Sequence, residues 1–197
     1  MPFGLTLDAV PVIAAFESVY AEAFAPPPWC ETPDQIRAFA GRLPGHLRTP
    51  GFRCRVAYLG GEPAGFAYGF PTKDPWPKDR LYGPVADAVV DVTGDLSILS
   101  TRFELHEVAV SPRFAGRGVG TVLVRDVAAE VGLSWLVTSC EATAAVRLYE
   151  RLGWRCLHEF HVCDRAFRIY LSPAAPGCSA PPGPADPSHP PRLDGPG

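Results

Sequence analysis

The run Arg113-Phe114-Ala115-Gly116-Arg117-Gly118-Val119-Gly120 follows a β-like stretch and leads straight into an apolar-periodic helix. Glycines at such a junction let main-chain N–H groups converge on an anion, and the helix N-terminus adds orphan donors and a favourable dipole. Capture of a phosphorylated ligand is the chemistry this predicts. A P-loop requires Lys and then Ser or Thr at the end of its glycine run, whereas Gly120 leads into Thr121 with no lysine. A dinucleotide fingerprint requires G-x-G-x-x-G; here Gly116, Gly118 and Gly120 are spaced G-x-G-x-G, with no early β-α-β unit around them.

Stepping outward, Arg102 to Val110 reads as the strand before the loop, and Val119, Val122, Leu123, Val127 and Val131 form one apolar helix face after it. Trp135 to Ser139 is a short apolar strand. Ala145, Leu148, Tyr149 and Leu152 line a further helix closed by Gly153, and Trp154 to Val162 and Phe167 to Leu171 supply two last strands. Upstream, Asp8 to Phe24 reads as a helix and Thr32 to Leu43 as a second, capped by Thr32 with Pro33 at its first position. Phe52 to Leu59 and Ala64 to Phe70 flank Gly60-Gly61-Glu62-Pro63 and predict a hairpin. Pro71 to Thr101 is long for a connection; Val85, Ala88, Val89 and Val92 predict one short helix inside it.

At 197 residues, 47% hydrophobic and 20% charged, the chain suits one globular domain, expected over residues 1–171. Residues 172–197 are rich in Pro, Gly, Ala and Ser and predict a disordered tail, since they bury too little to offset ordering entropy. A net charge of −3 offers no global basic field for nucleic acid. Met1 to Phe16 lacks a basic leader and is interrupted by Asp8 and Pro11, so neither signal peptide nor membrane anchor is expected, and a cytoplasmic location follows. Six scattered cysteines with no C-x-x-C suit free thiols better than a disulfide framework. His158 and His161 fall on opposite strand faces, so with Cys163 they predict no metal site.

Two blocks now combine: Glu104-Leu-His-Glu-Val-Ala-Val-Ser-Pro-Arg-Phe-Ala-Gly-Arg-Gly-Val-Gly120, and Ala145-Val-Arg-Leu-Tyr-Glu-Arg-Leu-Gly-Trp154. Together with the element order they resemble the GNAT superfamily of acyl-CoA-dependent N-acetyltransferases, over nearly everything except the tail and the long insertion. The resemblance implies an α+β fold, with a mixed, mostly antiparallel sheet flanked by helices and a V-shaped split between strands four and five, where acetyl-CoA lies. The family's Gln/Arg-x-x-Gly-x-Gly/Ala loop falls on Ala115-Gly116-Arg117-Gly118-Val119-Gly120. It implies cofactor contacts from Val108, Ala109, Val110, Arg113, Ala115, Gly116, Arg117, Gly118, Val119, Gly120 and Thr121. Ala115 departs from the usual Gln or Arg, and Ala142 stands near where many relatives carry Asn. Backbone donors and the dipole still serve the pyrophosphate.

Acetyl transfer to an amine needs a neutral nitrogen, a stabilised oxyanion and a protonated thiol. Deprotonating a lysine-like amine at pH 7 costs about 4–5 kcal/mol, against about 1–1.5 for an α-amine. Glu104 and Glu107 on the strand beside the cofactor are the candidate bases, with His106 as a third. Strict alternation puts the two carboxyls on opposite faces; only one reaches the cleft unless a bulge intervenes, as relatives have here, and Glu107 is favoured. By resemblance, main-chain N–H near Val108 holds the oxyanion and Tyr149 protonates the leaving thiolate. Spacing alone reads Tyr149 as a core aromatic. Cys140 sits close enough to raise a covalent route, but no His-Asp partner set accompanies it.

The expected acceptor is a small-molecule amine bound by Pro26 to Glu31, by the insertion and by the turn His161 to Arg165. Trp29, Tyr68, Trp76 and Tyr82 are candidate walls. Asp74, Asp79, Asp87, Asp91 and Asp95 outnumber Lys73, Lys78 and Arg80 in the insertion, which suits a cationic amine. Alternatives are a module that binds acyl-CoA without efficient transfer and a protein or peptide N-acetyltransferase. Neither nucleic acid nor membrane is an expected partner, and a homodimer is left open.

Overall fold

The Gly60-Gly61 dipeptide takes left-handed backbone at both residues, φ +64° and +85°, as a tight two-residue hairpin turn requires. It joins β2 (Arg53–Leu59) to β3 (Glu62–Pro71). The computed structural model describes residues 5–9, 13–78 and 81–173. The predicted tail therefore lies outside the described residues from 174 onward. Ser172 belongs to the domain: it is buried, donates its N–H to Ser134 O (2.9 Å), and accepts from Ser134 N at its Oγ (2.8 Å).

The first predicted helix is corrected at its start. Leu5–Asp8 forms an edge strand, β1, paired antiparallel with β2, so Asp8 is not helical; α1 is Ile13–Phe24. Helix α2 (Pro33–Leu47) starts as predicted: Gln35 N donates to Thr32 Oγ1 and Thr32 N donates to Gln35 Oε1 (2.8 Å), a capping box. It does not stop at Leu43. A proline in a helix interior costs about 3 kcal/mol, yet the turn around Pro44 is held from outside, with Leu47 packed on the core and His46 Nδ1 2.9 Å from the Tyr68 hydroxyl.

The rest of the chain is α3 (Tyr82–Thr93), the one-turn α4 (Ser97–Ser100), β4 (Phe103–Val110), a 3-10 turn (Pro112–Phe114), α5 (Val119–Val131), β5 (Ser134–Ser139), α6 (Thr143–Arg151), β6 (Arg155–Val162) and β7 (Arg165–Leu171). Among the described residues, seven strands make one mixed sheet in the order β1-β2-β3-β4-β5-β7-β6. Alternation along β3 sorts the core. Phe66, Tyr68 and Phe70 meet Phe16, Tyr20 and Phe39 of α1 and α2, while Ala67 meets Leu123 and Val127 of α5 on the other face, joined there by Ala64 across the register shift between Ala57 and Tyr58. The insertion helix α3 lays Val85, Ala88 and Val89 on Trp135, Phe160 and Ile169; Val92, predicted on this face, is 47% exposed.

Strands β4 and β5 run parallel and pair only at Phe103↔Ser134 and Glu104↔Trp135, after which they share no register and the sheet opens. The closed end of this V is clasped. Trp135, 2% exposed, donates its Nε1–H to Thr72 Oγ1 (2.8 Å), which itself donates to Arg102 O (2.7 Å). Thr72→Val keeps the shape but strands a buried indole donor, and is expected to cost about 1–3 kcal/mol in urea unfolding.

Candidate active site

Gly69 of β3 faces two residues of β4 instead of one: Tyr68 pairs Glu107 and Phe70 pairs Glu104, leaving Leu105 and His106 opposite a single glycine. This bulge overturns the alternation that separated the two candidate bases. Glu104, His106 and Glu107 all line one cavity of 220 Å³ at the mouth of the V. Its far wall comes from β5 (Trp135 to Ser139) and from Tyr149 of α6, and its roof from Tyr20 and Phe24 of α1, Trp29 and Glu31 of the following loop, and Tyr82 of α3.

Each acidic side chain is held differently. Glu104 is 6% exposed; the Tyr82 hydroxyl lies 2.8 and 2.7 Å from its two oxygens and His106 Nδ1 lies 2.6 Å from Oε1. Such a network fixes Glu104 and orients the imidazole. Tyr20 donates to Glu31 Oε1 (3.0 Å). Glu107 is within electrostatic reach of two phenols. Tyr149 is pushed well above the usual range of a phenol, first by burial and then by Glu107, and Tyr20 likewise by burial, Glu107 and Glu31. Tyr149 therefore stays protonated through the neutral range. Its ring packs on Trp154 (5.7 Å) and Tyr170 (5.8 Å) while it also lines the cavity.

Beyond the open end lies the glycine loop. Gly116 and Gly118 take φ +73° and +80°, and Gly118 is the N-cap from which α5 starts, leaving the first-turn amides without intrahelical acceptors. A Cβ on Gly120 would stand 3.1 Å from Leu148 Cδ2, so this glycine lets α5 lie close beside the turn of α6 that carries Tyr149. The loop and split thus fit a phosphorylated ligand with a long arm: bare amides at one end, and two strand edges that do not pair with each other leading toward the phenol.

The two loop arginines differ. Arg113 ion-pairs with Glu22 (3.1 Å) and Glu62 (2.7 Å), and the Ser111 hydroxyl also donates to Glu22. That hydroxyl first, then Arg113, holds the Glu22 carboxyl below its usual range. Arg117 lies 5.7 Å over the Phe114 ring and is in no salt bridge among the described residues. For the acetyl-CoA that the sequence resemblance implies, Arg117→Ala is expected to weaken binding several-fold in calorimetry, and Arg113→Ala less, because Arg113 must leave its carboxylates to reach a phosphate.

Several expected walls are moved. Tyr68 is fully buried under α1 and α2 and does not line the cavity, and Trp76, also outside the lining, stacks on Trp135 (5.7 Å) and meets Tyr82 edge-on (5.5 Å). Asp74, Asp87, Asp91 and Asp95 do not line the cavity, and Asp79 and Arg80 lie outside the described residues. Acidity comes instead from Glu31, Glu104 and Glu107. Tyr20, Phe24 and Phe167 were missed, since each reads in sequence as an ordinary core aromatic. The turn before β7 does reach over: the Arg165 guanidinium lies 5.7 Å from the Trp29 ring and 5.5 Å from Phe167. Cys140 does not line the cavity, and burial first, then Glu159, push its thiol up, the opposite of an activated thiolate. Among the described residues no group of three metal-ligating side chains comes together, and no helix is long and apolar enough to cross a membrane.

The family model described as "Acetyltransferase (GNAT) family" matches residues 16–154. The fold is similar to that of histone acetyltransferase HPA2 and related acetyltransferase from Corynebacterium glutamicum, with TM-score 0.63 and 22% identity over 88% of this chain and 98% of that one. It is also similar to the ribosomal-protein-S18-alanine N-acetyltransferase from Escherichia coli (TM-score 0.55, 17% identity, 89% and 99% covered). A third similar structure is the PaiA N-acetyltransferase from Thermoplasma acidophilum in complex with coenzyme A (TM-score 0.55, 9% identity, 84% and 97% covered). At these identities the likeness is one of fold. No curated protein sequence matches significantly.

Proposed function

The chain belongs to the GNAT family of acetyltransferases, and from that premise we propose that it moves the acetyl group of acetyl-CoA to the primary amine of a small molecule, by direct attack in a ternary complex. The observation that carries this reading is the convergence of Glu104, Glu107 and Tyr149 on one cavity at the open end of the split.

Acetyl-CoA supplies the activated thioester. Glycine-loop amides from Gly116 to Thr121, with Arg117, hold its phosphates, and the unpaired edge of β4 at Val108, Ala109 and Val110 receives its arm. Glu107 takes the proton of the acceptor nitrogen as the C–N bond forms, and the Glu104–His106 pair offers a second route through water. Main-chain N–H near Val108 stabilises the charge on the carbonyl oxygen. Tyr149 gives its hydroxyl proton to sulfur as the C–S bond breaks. The two proton transfers assist one another: once Glu107 is protonated it no longer raises the Tyr149 phenol, which becomes the stronger acid.

The size of the cavity favours a small acceptor. At 220 Å³ it is below the roughly 300–1,000 Å³ of drug-sized pockets. The test is release of free thiol from acetyl-CoA against a panel of aliphatic amines, amino acids and peptides, with acetyl-CoA binding followed by calorimetry. Small amines are expected to turn over. Tight acetyl-CoA binding with no thiol release on any acceptor would leave a binding module instead, and turnover of peptides alone would assign a protein acceptor.

A further inference from the structure

Resting on acetyl transfer at this cavity, we propose that the acceptor is a short aliphatic diamine, whose second, non-reacting ammonium is bound by Glu31 and the ring of Trp29.

Glu31 Oε1 accepts from Tyr20, but Glu31 Oε2 is buried and accepts no hydrogen bond. A buried carboxyl oxygen left in this state is costly unless a donor arrives. The loop that carries it, between α1 and α2, roofs the cavity. No lysine or arginine lines that cavity, whereas three acidic side chains do. Arg165 lies against Trp29, and Arg42 is within electrostatic reach of Tyr20, but neither guanidinium is part of the lining.

The aromatic groups beside Glu31 form a continuous surface. Tyr20 is stacked between Phe39, at 3.7 Å, and Phe24, at 4.4 Å, which covers both its faces, and Phe24 packs on Trp29 at 5.2 Å, so Trp29 is the ring that ends the row. An indole face next to a carboxyl group suits an alkylammonium, which gains cation–π attraction along with the hydrogen bond. The other acidic groups have different tasks. Glu104 is engaged by Tyr82 and His106, and Glu107 lies within electrostatic reach of the candidate acid Tyr149. A nitrogen that must shed its proton beside Glu107 cannot also supply the cation for Glu31, so two nitrogens are required. The cavity's 220 Å³ keeps the acceptor short.

The test compares 1,4-diaminobutane with 1-aminobutane, by thiol release at saturating acetyl-CoA, in wild type and in Glu31→Gln. Glutamine still accepts from Tyr20 and keeps the side-chain volume, and the thermal midpoint of the variant reports its folding. In wild type the diamine is expected to show kcat/KM about 10- to 100-fold higher, the factor for one hydrogen bond between charged groups. Glu31→Gln is expected to bring that ratio to within about threefold of unity. Should it fold poorly, Trp29→Leu, which removes the ring face, is expected to shrink the same ratio.

Equal kcat/KM for the two amines in wild type, or an unchanged ratio in Glu31→Gln, overturns the assignment. Failure of acetyl transfer is read separately. If no amine releases thiol, calorimetry with coenzyme A present still decides: diamine binding about tenfold tighter than monoamine, lost in Glu31→Gln, supports the Glu31 subsite, and equal or undetectable binding of both sinks it.

Discussion

Gly69→Ala is expected to destabilise the protein by about 3 kcal/mol and to abolish turnover with it. A Cβ at this position would stand 2.0 Å from Glu104 O and 2.5 Å from Phe103 Cε1. The nearer obstacle is main chain, so no rotamer change relieves it and β3 must separate from β4. Overpacking of this kind costs about 1–3 kcal/mol and occasionally more. The same separation displaces the bulge that turns Glu104, His106 and Glu107 toward one cavity. Urea unfolding gives the stability change, with Gly41→Ala as the control. Nothing lies within 4 Å of a Cβ at Gly41 in the middle of α2, and alanine there is expected to stabilise by about 0.5–1 kcal/mol. Equal midpoints for the two variants would contradict the bulge geometry.

Tyr149→Phe is expected to lower kcat by about 100- to 1,000-fold at saturating acetyl-CoA, within the range for loss of a positioned general acid. The phenylalanine ring keeps the contacts with Trp154 and Tyr170. Acetyl-CoA affinity measured by calorimetry is therefore expected to stay within about threefold, because the hydroxyl acts only as the C–S bond breaks. Glu107→Gln should also slow turnover. If base and acid assist one another through charge, the double variant is expected to fall short of the product of the single losses. A Tyr149→Phe enzyme with unchanged kcat would remove Tyr149 from the proton path.

The parts of this molecule that could be read from the letters are those with a local cause. Gly118 starts α5 in left-handed backbone, Thr32 caps α2 with Pro33 after it, and Gly60-Gly61 turns the first hairpin. Val119, Leu123 and Val127 recur at helical spacing and are buried. Where a reading failed, a distant element was responsible. Leu5–Asp8 is a strand because β2 offers it an edge, and α2 runs through Pro44 because Leu47 and His46 are held by the core. Tyr68 was assigned to the acceptor pocket, but α1 and α2 cover its face.

By itself the sequence determined the family, through the resemblance of its two motif blocks, and the order of the elements apart from β1 and the one-turn α4, since turn chemistry, periodicity and motif spacing act over a few neighbouring residues; Tyr149 entered as a group to watch by that resemblance alone. Only the tertiary structure decided that both carboxyls share one face, that Glu31 supplies a third acid, and that Tyr20, Phe24 and Phe167 close the cavity. The physical reason is that a bulge is a property of two strands read together, one of them carrying the glycine that makes room. A cavity is the space left between elements far apart in the chain, and no local periodicity encodes it.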